Sequence, residues 1–302
     1  MLDSSKIVEI FYLADEIFKE YKDVLFSHTL RSDNNKITRN REYTLSIPEV
    51  MTIIIAFHFS DFRTLKHFYI DYVQTHLQDL FPNTVSYNRF VELQKEALLP
   101  LTLMIKTARK GEITGISFID STPIRVCKNK RIFNHKVFEG IATRGKSTMG
   151  FFFGFKLHII INDKSEIIDF VITPANTDDR EPLKNQSFIN NLYGKIYADK
   201  GYISSQLVEN LFINGIHLIT GIRNKMKNKL MSLSDKILLR KRSIIETVND
   251  ELKNICQVEH SRHRSFTNFL NNLIGGLIAY SYFPKKPKIR FQTEQSNQLT
   301  VF

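Results

Sequence analysis

The feature that most constrains this chain is a change of period at Gly111. Before it, Ile7, Ile10, Phe11, Ala14, Ile17, Phe18 and Tyr21 recur every three to four positions, the signature of one apolar helix face. After it, Ile116–Val126, Phe151–Ile161 and Ile167–Thr173 are short runs rich in β-branched residues and Phe. The last two are separated by Asn162-Asp163-Lys164-Ser165 and Glu166, which predicts a hairpin. A helical stretch followed by alternating strands and helices excludes an all-β chain and points to an all-α N-terminal region joined to an α/β unit.

Punctuation refines this order. Thr29–Tyr43 is polar and reads as a loop, and Ser46-Ile-Pro-Glu49 is a capping-box pattern that predicts a helix through Phe59. Phe62–Leu80 is expected as a helix, as is the stretch from Ser86 to Leu98, with Pro100 interrupting before a short helix to Arg109. Downstream, helices are expected over Arg180–Leu192, Ser204–Ile213, Ser234–Gln257 and Phe266–Phe283, and strands over Lys195–Ala198 and Ile216–Ile222. The predicted units are 1–110 (helical, suited to a DNA-binding or dimerisation module), 111–283 (α/β) and 284–302 (flexible tail).

Composition narrows the partner. The 302 residues carry 42 Lys+Arg against 31 Asp+Glu, a net charge of +11, which suits nucleic acid or another acidic surface. Cys127 and Cys256 are far apart and form no C-x-x-C, so neither a disulfide scaffold nor a cysteine zinc site is expected. The longest nearly uncharged apolar stretch, Leu273–Phe283, is about half of the ~18–20 residues that span a bilayer. The opening residues show no secretory pattern. The expectation is a cytoplasmic protein with no membrane partner. The positive charge gathers in two runs: Arg125, Lys128, Lys130, Arg131, Lys136, Arg144 and Lys146, and then Arg223, Lys225, Lys227, Lys229, Lys236, Arg240, Lys241 and Arg242. Interspersed with small polar residues, both are expected as phosphate-contacting loops.

Three acids stand out against this background. Asp120 interrupts an apolar strand, where a carboxylate is costly unless paired or metal-bound. Asp199 ends a short strand before Gly201, at the end of a strand where sites collect in α/β sheets. Glu246 shares a helix stripe with Arg242, Asn249 and Lys253, opposite the stripe Ile244, Val248, Leu252 and Ile255. Three hard oxygen donors suit Mg²⁺ or Mn²⁺, and two such ions can promote displacement at a phosphodiester.

These residues carry a resemblance. Arg242-x3-Glu246-x6-Lys253 and Asp199-Lys-Gly201-Tyr202, with Ile119-Asp120-Ser121-Thr122-Pro123 ahead of them, resemble the motifs of bacterial insertion-sequence transposases of the DDE class. Leu239 stands where one large group of these enzymes has Tyr, and the 47-position spacing from Asp199 to Glu246 leaves no room for the large insertion domain that some relatives carry. The resemblance covers about residues 111–283 and implies an RNase H-like mixed sheet flanked by helices. It also implies Mg²⁺-dependent cleavage at terminal inverted repeats followed by strand transfer into target DNA. Asp120, Asp199 and Glu246 are then the catalytic residues and ligands of two Mg²⁺ (or Mn²⁺) ions. Arg242 and Lys253 become phosphate contacts, and Lys200 and Tyr202 further substrate contacts. Lys241, Arg125, Lys128, Lys130 and Arg131 join the DNA-binding set through the basic runs. The expected partners are double-stranded DNA and a second copy of the chain, as a homodimer or larger synaptic complex. Competing readings are another RNase H-like metal-dependent nuclease and a non-catalytic DNA-binding derivative.

Other residues read as structural. One of Asp178 and Asp179 is expected to cap a helix, His158 and His217 to pack, and His260 and His263 to sit in a plain inter-helix loop, in preference to an exposed basic turn that contacts DNA. Gly275-Gly276 is expected to permit close helix packing.

Overall fold

A computed structural model describes residues 3–28, 43–224, 226, 230–259 and 263–289. The expected loop at 29–42, Lys225, Lys227, Lys229, His260 and the tail from 290 lie outside the described residues.

The N-terminal region is helical. α1 (Ser4–His28) lays Ile7, Ile10, Ala14 and Ile17 into the core. α2 (Ile47–Phe57) starts at the expected capping box: the Glu49 carboxylate accepts from the Ser46 backbone N–H at 2.7 Å, and Ser46 Oγ accepts from the Glu49 N–H at 3.4 Å. The helix expected over Phe62–Leu80 is shorter and irregular: Leu65–His67, a π-turn over Phe68–Val73, then Gln74–His76. α3 (Tyr87–Lys106) runs straight through Pro100, in place of the expected interruption. Burial of Phe90, Leu93, Ala97, Leu101 and Met104 along one face outweighs the one hydrogen bond that Pro100 cannot donate.

The second half contains a mixed six-stranded sheet: β1 (Ile116–Cys127), β2 (Thr143–Ser147), β3 (Gly150–Asn162), β4 (Ile167–Pro174), β5 (Gly194–Ala198) and β6 (Ile216–Thr220). The order is β2-β3-β1-β5-β6. β4 also pairs with β3, beside its second half, while β2 pairs with its first. β1 is antiparallel to β3 and parallel to β5, and β5 is parallel to β6. β2 is additional to the expected strands. Its sequence Thr-Arg-Gly-Lys-Ser lacks apolar alternation, so it becomes a strand only through pairing with β3.

Helices complete the layers. α4 (Ser205–Ile213) is capped by Ser204, whose Oγ accepts from the Leu207 N–H. The expected helix over Arg180–Leu192 is instead a 3₁₀ turn (Glu181–Lys184) and one α-turn (Gln186–Ile189). Pro182 withholds a donor, and Asn185 leaves the helical region and caps the second turn through Ser187 N–H. The single helix expected over Ser234–Gln257 is two, α5 (Leu233–Lys241) and α6 (Ile244–Asn254), interrupted at Arg242–Ser243. Ser243 suits a helix boundary because its hydroxyl competes with the backbone ladder. α7 (Phe266–Ser281) closes the fold.

The sheet is buried on both faces. Ile119, Ile160, Ile196 and Ala198 pack under α4 and the 181–189 turns. Phe118, Leu157, Ile159 and Tyr197 face the main core, which also takes in α6, α7 and the N-terminal helices. Gly275 lets α7 approach α2, and Gly276 lets it approach the residues after α6: a Cβ on Gly275 would stand 2.7 Å from Ile54 Cγ2, and one on Gly276 2.4 Å from Val258 Cγ1. Residues 284–289, expected to belong to a flexible tail, are anchored: Ile289 packs against the main core. No helix among the described residues is long and apolar enough to cross a membrane, and both cysteines are free thiols.

Candidate active site

Strand alternation sets the first acid. Ile119 and Ser121 turn to one face of β1, and Phe118 and Asp120 to the other, the face on which α6 lies. There Asp120 is half-buried, and its Oδ2 accepts from Asn249 Nδ2 on α6 at 3.1 Å. β5 runs parallel to β1 with Tyr197 beside Phe118, so the chain leaves β5 at Asp199 next to Asp120. Glu246 lies in the first turn of α6. The three predicted acids are therefore brought to one place.

Arg242 joins them. Its Nη2 donates to Glu246 Oε1 at 3.0 Å and stands 3.9 Å from Asp199 Oδ1. Burial pushes the Asp120 carboxyl up to about 6; Arg242 and the Ser121 N–H oppose this, and the Glu246 and Asp199 charges add to it. Among the described residues, no three His, Cys, Asp or Glu side chains converge tightly enough to chelate an ion as they stand, and a guanidinium lies among the acids. The donor set nonetheless fits a hard divalent cation: three carboxylates on separate elements, one with its ionised form held at a cost that an added positive charge relieves.

The other predicted contacts divide. Lys200 is exposed beside Asp199, and its carbonyl accepts from Arg223 Nη2 at 3.2 Å. Tyr202 corrects the expectation of a substrate contact: it is buried in the core under α4, and its hydroxyl has no bond of normal geometry. Lys253 is also turned inward. Its Nζ donates to the Pro123 carbonyl at 2.7 Å and stands 3.7 Å from Glu259, so it ties α6 to β1. Burial lowers its pKa. Arg125, Lys128, Lys130 and Arg131 are exposed, but they sit at the end of β1 and on a 3₁₀ turn (Asn129–Asn134) rather than in one long loop. At about 3.3 Å per residue, Arg125 is roughly 16 Å along the strand from Asp120. Lys241 is exposed at the end of α5.

Sequence reasoning misses a second layer. Asp179, for which a helix cap is one expectation, accepts from Ser121 Oγ at 2.8 Å and from Lys156 Nζ at 2.8 Å. Asp178 pairs with Arg180, and neither acid caps an α-helix. Lys156 is the available signal, a cation inside the apolar strand Phe-Gly-Phe-Lys-Leu-His that needs a buried partner. A groove of about 600 Å³ opens here, lined by Lys156, Asp179, Gly201, Arg144, Lys146 and Phe151 among others. His158 packs as expected, its Nε2 2.9 Å from Thr173 Oγ1, while His217 is exposed, its ring tilted by 40° against that of Phe212. His263 lies in the loop ahead of α7, as expected, half-buried and with its ring edge-on against Phe269.

No curated protein matches the chain. Among solved structures, the fold is similar to the piggyBac transposase in a cryo-EM structure of its synaptic complex with hairpin DNA, at 10% identity and a TM-score of 0.45 over 91% of this chain and 74% of that one. The family model described as "Transposase DDE domain" matches residues 110–266, just over half of the chain, and the chain therefore belongs to the DDE transposase family.

Proposed function

We propose that Asp120, Asp199 and Glu246 hold two divalent cations, Mg²⁺ in the cell with Mn²⁺ able to replace it, and that the chain cuts DNA at the ends of its element and joins the 3′ ends to target DNA. The observation that carries this is the gathering of three acids from β1, the end of β5 and α6 around Arg242. Bound there, the cations would supply Lewis acidity to the scissile phosphate and to the attacking oxygen. The chain's own residues would do the positioning. Asn249 would fix the Asp120 carboxylate, Arg242 would balance charge at Asp199 and Glu246 and turn to the phosphate, and Lys200 would meet the DNA beside Asp199. In the first step water attacks phosphorus and the P–O3′ bond breaks, leaving a 3′-hydroxyl. In the second, that hydroxyl attacks a target phosphate and displaces its O3′. Two element ends must meet, so the active form is a homodimer or larger assembly, with the N-terminal helices contributing to DNA binding or pairing of copies, in the bacterial cytoplasm.

The test is cleavage of a labelled duplex bearing the element's end, with and without Mg²⁺. The parent should nick only with the ion, and Asp199→Asn should bind the duplex yet leave it uncut. Cleavage by Asp199→Asn at the parent's rate would overturn the assignment. Hydrolysis without strand transfer or end preference would favour the alternative of a general RNase H-like nuclease.

A further inference from the structure

A second groove, of about 810 Å³, lies between α5, α6 and the segment 284–289. At 100° per residue, Ile244 and Thr247, which line it, lie roughly 100–160° around α6 from Glu246. The groove is therefore on another flank of the same helix, away from the carboxylates.

The segment that forms its wall is anchored. Ile289 packs against the main core, and Lys286 turns inward, its Nζ donating to the Ser281 carbonyl at 2.9 Å and to the Phe283 carbonyl at 3.0 Å. Pro284 and Pro287 restrict the backbone on either side. With Lys286 committed to the end of α7, Lys285 and Lys288 remain exposed across the groove from Lys241, and no acid among the described residues lines it. The first groove differs, because Asp178 and Asp179 line it. Holding three cations around one concavity costs Coulomb energy, which a polyanion offsets. Lys285 and Lys288 are at most about 10 Å apart along the chain, which spans two to three phosphates at ~3.4 Å of rise per strand.

We infer that this groove is a second DNA-binding surface, which takes the phosphodiester backbone of duplex DNA lying outside the nucleotides at the carboxylates. The inference rests on the reading that the chain works on DNA, but not on its cleavage chemistry. The experiment is anisotropy of a labelled 40-bp duplex without divalent ion, across a salt series, for the parent and Lys285→Glu/Lys288→Glu. The variant should bind at least tenfold more weakly, and its log–log salt slope should be shallower by about 2, at ~0.9 for each phosphate left unneutralised. Unchanged affinity and slope in a folded variant would overturn the inference. If the variant fails to fold, amine-reactive footprinting of the parent decides: the duplex should protect Lys285 and Lys288. No protection, or equal protection by polyglutamate, would overturn it. Asp199→Asn run alongside separates the two readings, since loss of cutting leaves this binding signal intact.

Discussion

Arg242 Nη2 lies 3.0 Å from Glu246 Oε1 and 3.9 Å from Asp199 Oδ1, so one guanidinium serves two of the three acids and also lowers the pKa of the third, Asp120. A cation arriving among these acids meets a positive charge already there. Arg242→Gln removes that charge and leaves three carboxylates repelling one another. The variant should melt lower without divalent ions and gain more than the parent when Mn²⁺ is added. At about 2.1 cal/mol/K of unfolding entropy per residue, a difference of 1 kcal/mol is about 1–2 °C for a chain of this length. Scanning calorimetry with and without Mn²⁺ checks it, and equal gains would show that Arg242 and the ion do not share a site.

Asn249 offers a separate handle. Its amide reaches Asp120 from α6, while its own Oδ1 is buried without a partner. Asn249→Ala should leave duplex binding intact and slow cleavage by about tenfold, equivalent to about 1.4 kcal/mol. Asn249→Asp, which sets another carboxylate against Asp120, should slow it further. Single-turnover cleavage beside anisotropy makes the distinction.

Acid should weaken the fold before it protonates most carboxylates. Burial holds His58, His158 and His263 down to about 4. His58 Nε2, His158 Nδ1 and His263 Nε2 are buried without partners. Between the ordinary histidine value of about 6.5 and that lower value, the unfolded chain binds protons that the folded chain refuses. Their contribution is complete above about 6.5 and is lost as pH falls toward 4, at up to about 1.4 kcal/mol per pH unit for each histidine. Asp120 works the other way. Raised to about 6, it takes a proton in the folded state first and offsets part of the loss. Urea midpoints should therefore drop between pH 7 and pH 5, and drop more steeply in Asp120→Asn. A flat profile would mean the three imidazoles are not held neutral.

What is legible in the sequence, and what is hidden, follows from where each residue's energy lies. Asp120 and Asp199 are readable because an acid is conspicuous against apolar strand residues, and Glu246 because its stripe opposes an apolar one. The Ser121–Asp179–Lys156 set is not readable, because its members meet only once β1 and β3 pair and the chain after β4 turns back. β2 escapes for the same reason, as its strand character comes from its neighbour. Tyr202 misleads because the motif that places it beside Asp199 does not say which way its ring turns. α3 keeps its line through Pro100 because a buried face outweighs a local breaker.

Gly276 turns that same competition into a measurement. In an exposed helix, Gly→Ala gains about 1 kcal/mol through backbone entropy. Here the added methyl would lie 2.4 Å from Val258 Cγ1, inside a closely packed core where α7 meets the residues just after α6. Overpacking of this kind costs about 1–3 kcal/mol, so Gly276→Ala should be destabilising despite the better helix former. Val258→Ala alone should also destabilise, by leaving a gap. The double variant should lose less than the two single losses combined, because the new methyl occupies the space that Val258 gives up. Urea denaturation of the four proteins completes the cycle. Strict additivity would mean that α7 does not depend on Gly276 for its approach.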